Sequence, residues 1–234
     1  MPGGLRAQPK IQRGAFVEYG LSIPPLVVVF QFNPLQLSRN RSQSFAVPAK
    51  EQYDGGPTLR EFHQRFDDLT ALRDAQQVKV DPESLTFDIR LDATDRLDDG
   101  DSAAGRFGIA PQLATLELMM MPKSESLLGA VVDKLRERLG GGKPKFTFTG
   151  TQKPPMILFI WGLRRVLPVN INSMQITETE FNTTLAATRA SVTVNLTVIE
   201  GDNGPYKYSR LMQEAMSIEN LTTGRAITEV VIPG

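Results

Sequence analysis

Hydrophobic and polar residues alternate almost without fault along Ser191-Val192-Thr193-Val194-Asn195-Leu196-Thr197-Val198. Successive side chains of a strand point to opposite faces, so this pattern predicts a strand with one face in a core and one face polar. Leu85-Thr86-Phe87-Asp88-Ile89-Arg90-Leu91-Asp92 repeats it. Met156-Ile157-Leu158-Phe159-Ile160-Trp161 is apolar throughout and predicts a strand that needs cover on both faces. Gly162-Leu163-Arg164-Arg165 follows, then Leu167-Pro168-Val169-Asn170-Ile171-Asn172, so residues 154–200 form a β core. Shorter strands are expected at 16–19, at 26–32 (stopped by Asn33-Pro34), at 35–41 and around Val78 and Val80.

Helical spacing occupies the middle and the end of the chain. Thr58-Leu59-Arg60-Glu61 fits a capping box, and Leu59, Phe62, Phe66, Leu69 and Leu72 then predict one helical stripe over 58–75. His63 lies beside that stripe. Residues 111–121 predict a short helix with Leu113, Leu116 and Met120 on one side, ended by Pro122. Residues 124–139 predict another, with Leu128, Val131, Val132, Leu135 and Leu139 as its apolar face and Gly140-Gly141-Gly142 as its stop. Phe146-Thr147-Phe148-Thr149 is strand-like. A last helix is expected from Pro205 to about 219, with Tyr208, Leu211, Met212 and Met216 roughly on one face, followed by an apolar tail at 226–232. Segments 42–56 and 95–105 read as loops. The order is strands, a helical middle, strands and a final helix, which predicts an α+β, mainly β fold. The organisation is a loose arm at 1–14, a β domain at 15–200 with helical insertions at about 58–75 and 110–140, and a helix and tail at 201–234.

Composition narrows the function. Lys plus Arg and Asp plus Glu are both 26, so the net charge is zero. That removes the basic excess expected of a nucleic-acid binder and the self-repulsion that keeps subunits apart. There is no cysteine and one histidine, which excludes disulfides, zinc–thiolate sites, cysteine nucleophiles and multi-histidine metal sites. No run approaches the roughly 20 apolar residues of a membrane span, and the N-terminus has no apolar signal region. The expectation is a soluble protein synthesised in the cytoplasm, with no cofactor.

The chemical candidates are each incomplete. Asp92, Asp95, Asp98, Asp99 and Asp101 surround Gly100, but the closing glutamate of a calcium loop is missing, so a solvated turn is expected. His63 and Asp67 are four residues apart, and no nucleophile elbow accompanies them. Gly140-Gly141-Gly142-Lys143 lacks the phosphate-loop spacing. Met119-Met120-Met121 could be a soft docking surface or a helix end in the core. Arg39, Arg41, Arg164 and Arg165 could meet acidic partner surfaces or phosphates. The balanced charge favours an exposed turn or a protein–protein salt link. No constellation points to an enzyme.

Four motifs, in order, resemble one family. They are Phe30-Gln31-Phe32-Asn33-Pro34 with Leu37-Ser38-Arg39-Asn40-Arg41; the stretch from Leu85 through Asp92 to Ala93-Thr94-Asp95; Gly108-Ile109-Ala110-Pro111-Gln112-Leu113-Ala114-Thr115-Leu116-Glu117-Leu118; and Leu158-Phe159-Ile160-Trp161-Gly162 through Leu167-Pro168-Val169. Together they span roughly residues 16–200, and the chain resembles the tube-type proteins of contractile injection systems: the tube initiators or spike adaptors of phage-tail-like particles. The resemblance implies a tail-tube-like small β-barrel or sandwich with flanking and inserted helices. It also implies a hexameric ring between a spike hub protein and the inner tube protein, within a baseplate. The particle would be cytoplasmic or released. Subunits would join by strand addition at free edges, closing head to tail. Candidate subunit- or lumen-facing residues are Arg39, Arg41, Arg164, Arg165, Thr193, Asn195 and Thr197. Many relatives carry a LysM domain, which gives an alternative expectation of glycan or cell-wall binding. The single tryptophan leaves little aromatic surface for sugars.

Overall fold

The structure is a computed structural model. It describes residues 12–20, 25–94, 100, 102–121 and 154–222. Its elements in chain order are β1 (Ala15–Glu18), β2 (Val27–Val29), β3 (Leu37–Asn40), β4 (Gln43–Ala46), a 3-10 turn (Ala49–Glu51), α1 (Leu59–His63), α2 (Leu69–Ala75), β5 (Gln77–Val80) and β6 (Ser84–Asp92). Then come α3 (Ser102–Phe107), α4 (Ala110–Met120), β7 (Ile157–Trp161), β8 (Arg165–Phe181), β9 (Ala187–Val198) and α5 (Gly204–Thr222). The predicted helix 124–139, the strand 146–149 and the tail 226–232 lie outside the described residues.

Seven strands form one antiparallel sheet in the order β2-β1-β7-β8-β9-β6-β3, and β4 and β5 form a separate pair. The sheet is open, so the barrel or sandwich expectation holds only as a mainly β sheet with flanking helices. The two alternating segments behave as their pattern dictates. Leu85, Phe87, Ile89 and Leu91 of β6 face Leu196, Val194, Val192 and Ala190 of β9 in register, and all eight are buried. Leu113, Leu116 and Met119 of α4 join the same core. At its centre are Phe16, Phe30, Phe87 and Phe159, with Phe16 meeting Phe30 edge-on at 5.2 Å and Phe87 stacked on Phe159 at 5.2 Å. Such aromatic pairs add to the burial of their area. The doubly apolar β7 lies between β1 and β8; Ile157 and Phe159 are buried, but Leu158, Ile160 and Trp161 only partly so.

The insertion at 58–75 differs from its expectation. The capping box at Thr58 forms: its side chain accepts from Glu61 N, and Glu61 Oε2 accepts from Thr58 N at 2.8 Å. The helix nevertheless ends at His63. Asp68 starts a new one by accepting from Thr70 N and Ala71 N. An Asx cap competes with continuation of the helix, so the five spaced apolar residues do not form one face. Phe62 is buried, whereas Leu69 is 80% exposed. Thr58→Ala is expected to lower stability by about 1 kcal/mol, read as a shift of the urea midpoint. An unchanged midpoint would mean that α1 opens independently of the core.

Two segments read as loops contain structure: 42–56 holds β4 and the 3-10 turn, and 95–105 runs into α3. In α4 the buried residue of the methionine triplet is Met119, with Met120 and Met121 exposed, so the apolar face is rotated from the one expected through Met120.

Candidate functional site

The face of the sheet opposite the core is polar and laced together across strands. Thr86 Oγ1 donates to Asn195 Oδ1 at 2.8 Å, and Asn195 Nδ2 donates to Ser173 Oγ at 2.8 Å. Thr193 Oγ1 donates to Asp88 Oδ1 at 2.6 Å, and Asn172 Nδ2 donates to Thr197 Oγ1 at 2.6 Å. Farther along, Arg189 bridges Asp92 at 2.8 Å and Glu180 at 2.7 Å. Hydrogen bonds to Thr94 and the Arg189 charge hold the Asp92 carboxyl below its ordinary value against the upward push of burial. Period-two alternation places Thr193, Asn195 and Thr197 on this face, and each is part-exposed. The residues form an ordered polar wall.

β8 belongs to two neighbours in turn. Its first residues, Arg165 to Val169, pair with β7, and from Val169 onward it pairs with β9, with a bulge between Ile171 and Ser173. Among the described residues, no strand lies on the other side of its second half, from Asn170 to Phe181. That half is exposed or half-buried throughout. Backbone donors and acceptors on such an edge are open to another strand. Before Val169, α5 occupies the edge that β9 has left. Ser209 Oγ accepts from Val166 N and donates to Val166 O, both at 2.8 Å, and Ser209 is 1% exposed.

Arg39 and Arg41 converge on one carboxylate. Glu83, on the connection into β6, is fully buried; Arg39 Nε and Arg41 Nη2 each donate to one of its oxygens at 2.5 Å. Alternation along β3 and just beyond it aims both arginines to one side. Burial pushes the Glu83 carboxyl up, but the two guanidinium hydrogen bonds and charges outweigh it and leave the value lowered. Glu200 Oε1 accepts from Glu83 N at 3.2 Å, and burial beside Glu200 raises the Tyr206 phenol. These two arginines are therefore engaged within the chain. Nothing in the sequence singled out Glu83, because Asp81-Pro82-Glu83 reads as a break between strands; its two arginine partners were the available signal.

Arg164 and Arg165 lie elsewhere, on the tight β7–β8 connection. Gly162 adopts φ +63° there, and Tyr208 of α5 donates to Leu163 O at 2.6 Å. On the other side, Asn33 Oδ1 accepts from Gly14 N at 3.0 Å and Asn33 Nδ2 donates to Gln12 O at 2.8 Å. The asparagine of the Phe-Gln-Phe-Asn-Pro motif thus pins the segment before β1 beside the turn. Between them is an open hollow of about 540 Å³, lined by Gln12, Asn33, Trp161, Arg164 and Arg165 among others. Trp161 stacks on Phe159 at 6.0 Å and is partly exposed to the hollow.

The remaining candidates do not assemble. Asp67 falls beyond the end of α1, and His63 Nε2 is buried without a hydrogen-bond partner, so the imidazole–carboxylate pair does not form through that nitrogen. The acidic positions Asp95, Asp98, Asp99 and Asp101 and the Gly140–Lys143 stretch lie outside the described residues. Among the described residues there is no group of three or more His, Asp or Glu placed to hold a metal, and no helix long and apolar enough to cross a membrane. The final helix exposes Tyr208, Leu211 and Met216, along with Ile218 and Leu221, so its apolar face is turned mostly to solvent. No protein-family model matches the chain, and the search of curated proteins returns no match.

Proposed function

We propose that the chain is a non-enzymatic structural subunit that assembles with copies of itself into a ring. It would act as the baseplate or inner-tube initiator of a contractile injection system, linking a spike hub to the inner tube. The observation that carries this reading is the second half of β8. A long strand edge, open among the described residues, borders a polar face whose side chains are already ordered by cross-strand hydrogen bonds. An exposed edge of that length is a liability in a monomer and a joining surface in an assembly. Exposed apolar residues elsewhere, including Val27, Val29, Val78, Val80, Leu211 and Ile218, add surface for neighbours above and below. In a ring, Thr193, Asn195 and Thr197 would line a water-filled lumen.

Light scattering coupled to size exclusion, followed by imaging of the same fraction, tests this. The expected result is a closed ring with a central opening. A chain that stays monomeric at high concentration and does not incorporate into particles when its neighbours are supplied would overturn it.

A further inference from the structure

Several arginines are ion-paired within the chain. Arg39 and Arg41 share Glu83, Arg65 pairs with Glu51, and Arg189 bridges Asp92 and Glu180. Among the described residues, no carboxylate or hydrogen-bond acceptor pairs with the guanidinium of Arg164 or of Arg165. Arg164 is exposed and Arg165 half-buried, and both line the hollow of about 540 Å³ beside Trp161. Burial, and then the neighbouring Arg39 charge, hold the Arg165 guanidinium below the ordinary arginine value against the opposing pull of the Glu83 carboxylate, which is itself taken by Arg39 and Arg41. A partly desolvated cation with no direct hydrogen-bonded acid gains from an anion that reaches it.

The turn that carries the pair is fixed before any ligand arrives. Tyr208 holds Leu163 O, Ser209 holds both backbone groups of Val166, and Asn33 fixes the Gln12–Gly14 segment that forms the facing wall. Preorganised donors lose little freedom on binding. A guanidinium presents a planar fork that fits a carboxylate with two hydrogen bonds. The indole of Trp161 supplies an apolar floor for the aliphatic stem of an acidic side chain, and the Gln12 amide is available at the rim.

We propose that the hollow between the β7–β8 turn and the segment before β1 is a docking site for an acidic peptide segment of a partner protein, whose carboxylates are taken by Arg164 and Arg165 over Trp161. The site stands on its own geometry and does not rest on the ring reading.

Trp161 is the only tryptophan in the chain, so its emission reports directly on the hollow. The full-length protein is titrated with an oligoglutamate peptide while tryptophan emission is followed. A saturable change is expected, weakened by added salt. Loss of one charge-assisted contact in Arg164→Gln should raise the half-saturation concentration roughly tenfold. Arg165→Gln should do the same; if that variant does not fold, the exposed Arg164→Gln decides alone. Oligolysine should have no effect. Absence of a saturable change, the same half-saturation in Arg164→Gln, or an equal response to inorganic phosphate at matched ionic strength would each overturn the proposal. A monomer that binds the peptide refutes the ring alone, and a ring whose Trp161 ignores the peptide refutes this site alone.

Discussion

Gly108→Ala is expected to destabilise the fold by about 3–5 kcal/mol, among the largest single-residue losses a domain suffers. Gly108 joins α3 to α4 with φ +55°, a region that costs an L-residue roughly 1–2 kcal/mol. A Cβ there would stand 2.0 Å from Ala187 O, a backbone atom that cannot swing aside. Relief would require α4 to move off the start of β9. That movement breaks the Ile109 N to Ala187 O hydrogen bond of 3.0 Å and lifts Ile109, Leu113, Leu116 and Met119 from the core. Gly105→Ala is the control. It lies in α3 with nothing within 4 Å of the added methyl, and alanine there should be neutral or stabilising by about 0.5–1 kcal/mol. Urea unfolding of the two variants side by side reads the contrast. Equal midpoints would show that α4 does not dock through Gly108.

The second large effect concerns the buried carboxylate. Replacing Arg39 and Arg41 together with methionine strands Glu83 in the interior. The expected cost at neutral pH is about 3 kcal/mol, the lower end for breaking a buried ion pair, because both arginines are part-exposed and water reaches the space they leave. Glu83→Gln should cost less, about 1–2 kcal/mol, since two part-exposed guanidiniums can hydrate. The pH dependence separates the cases by sign. In the parent, the folded-state value of Glu83 is lowered below its ordinary 4.5, so its contribution is complete above that value. It is lost as pH falls below 4.5 toward the folded value, where the unfolded chain takes up the proton first. In the double variant burial, opposed by the weaker Arg165 charge and no longer by two hydrogen-bonded guanidiniums, raises the folded value above the ordinary one. The folded state then binds the proton first, and the variant should recover stability between neutral pH and about pH 5, where the parent is flat. Unfolding free energies at those two pH values decide it. A variant as flat as the parent would mean that Glu83 turns to water once its partners are gone.

Period-two patterning made β6 and β9 legible residue by residue, because both faces of those strands meet different media. The same rule put Thr193, Asn195 and Thr197 on the polar face. The helix stripe at 58–75 misled, since spacing alone does not register that Asp68 prefers to cap. Asp67-Asp68 before Leu69 was the available warning. The last helix forms where its spacing predicts, and Tyr208, Leu211 and Met216 share a surface as spaced, but Ser209 takes the buried position, where a hydroxyl can serve the free edge of β8. No periodicity encodes that exchange, because it depends on where β9 stops. Glu83 was hidden for a similar reason, its partners lying across the strand pairing rather than nearby in the chain. The unpaired state of Arg164 and Arg165 is likewise a property of the packed molecule.

The strand order has a consequence for how the protein is made. β1 pairs with β7, Ala15 opposite Ile160, and β6 pairs with β9, Ser84 opposite Thr197. These strands emerge from the ribosome before their partners: β1 waits for β7, β6 waits for β9, and β8 then joins the two parts into one sheet. Completion of the sheet must therefore wait until β9, residues 187–198, has been made. Until β7 is made, Phe16, Phe30 and Phe87 have no Phe159 to pack against. The nascent chain is a natural client for a holding chaperone, and a transcript truncated before residue 200 should yield aggregate rather than a smaller folded unit.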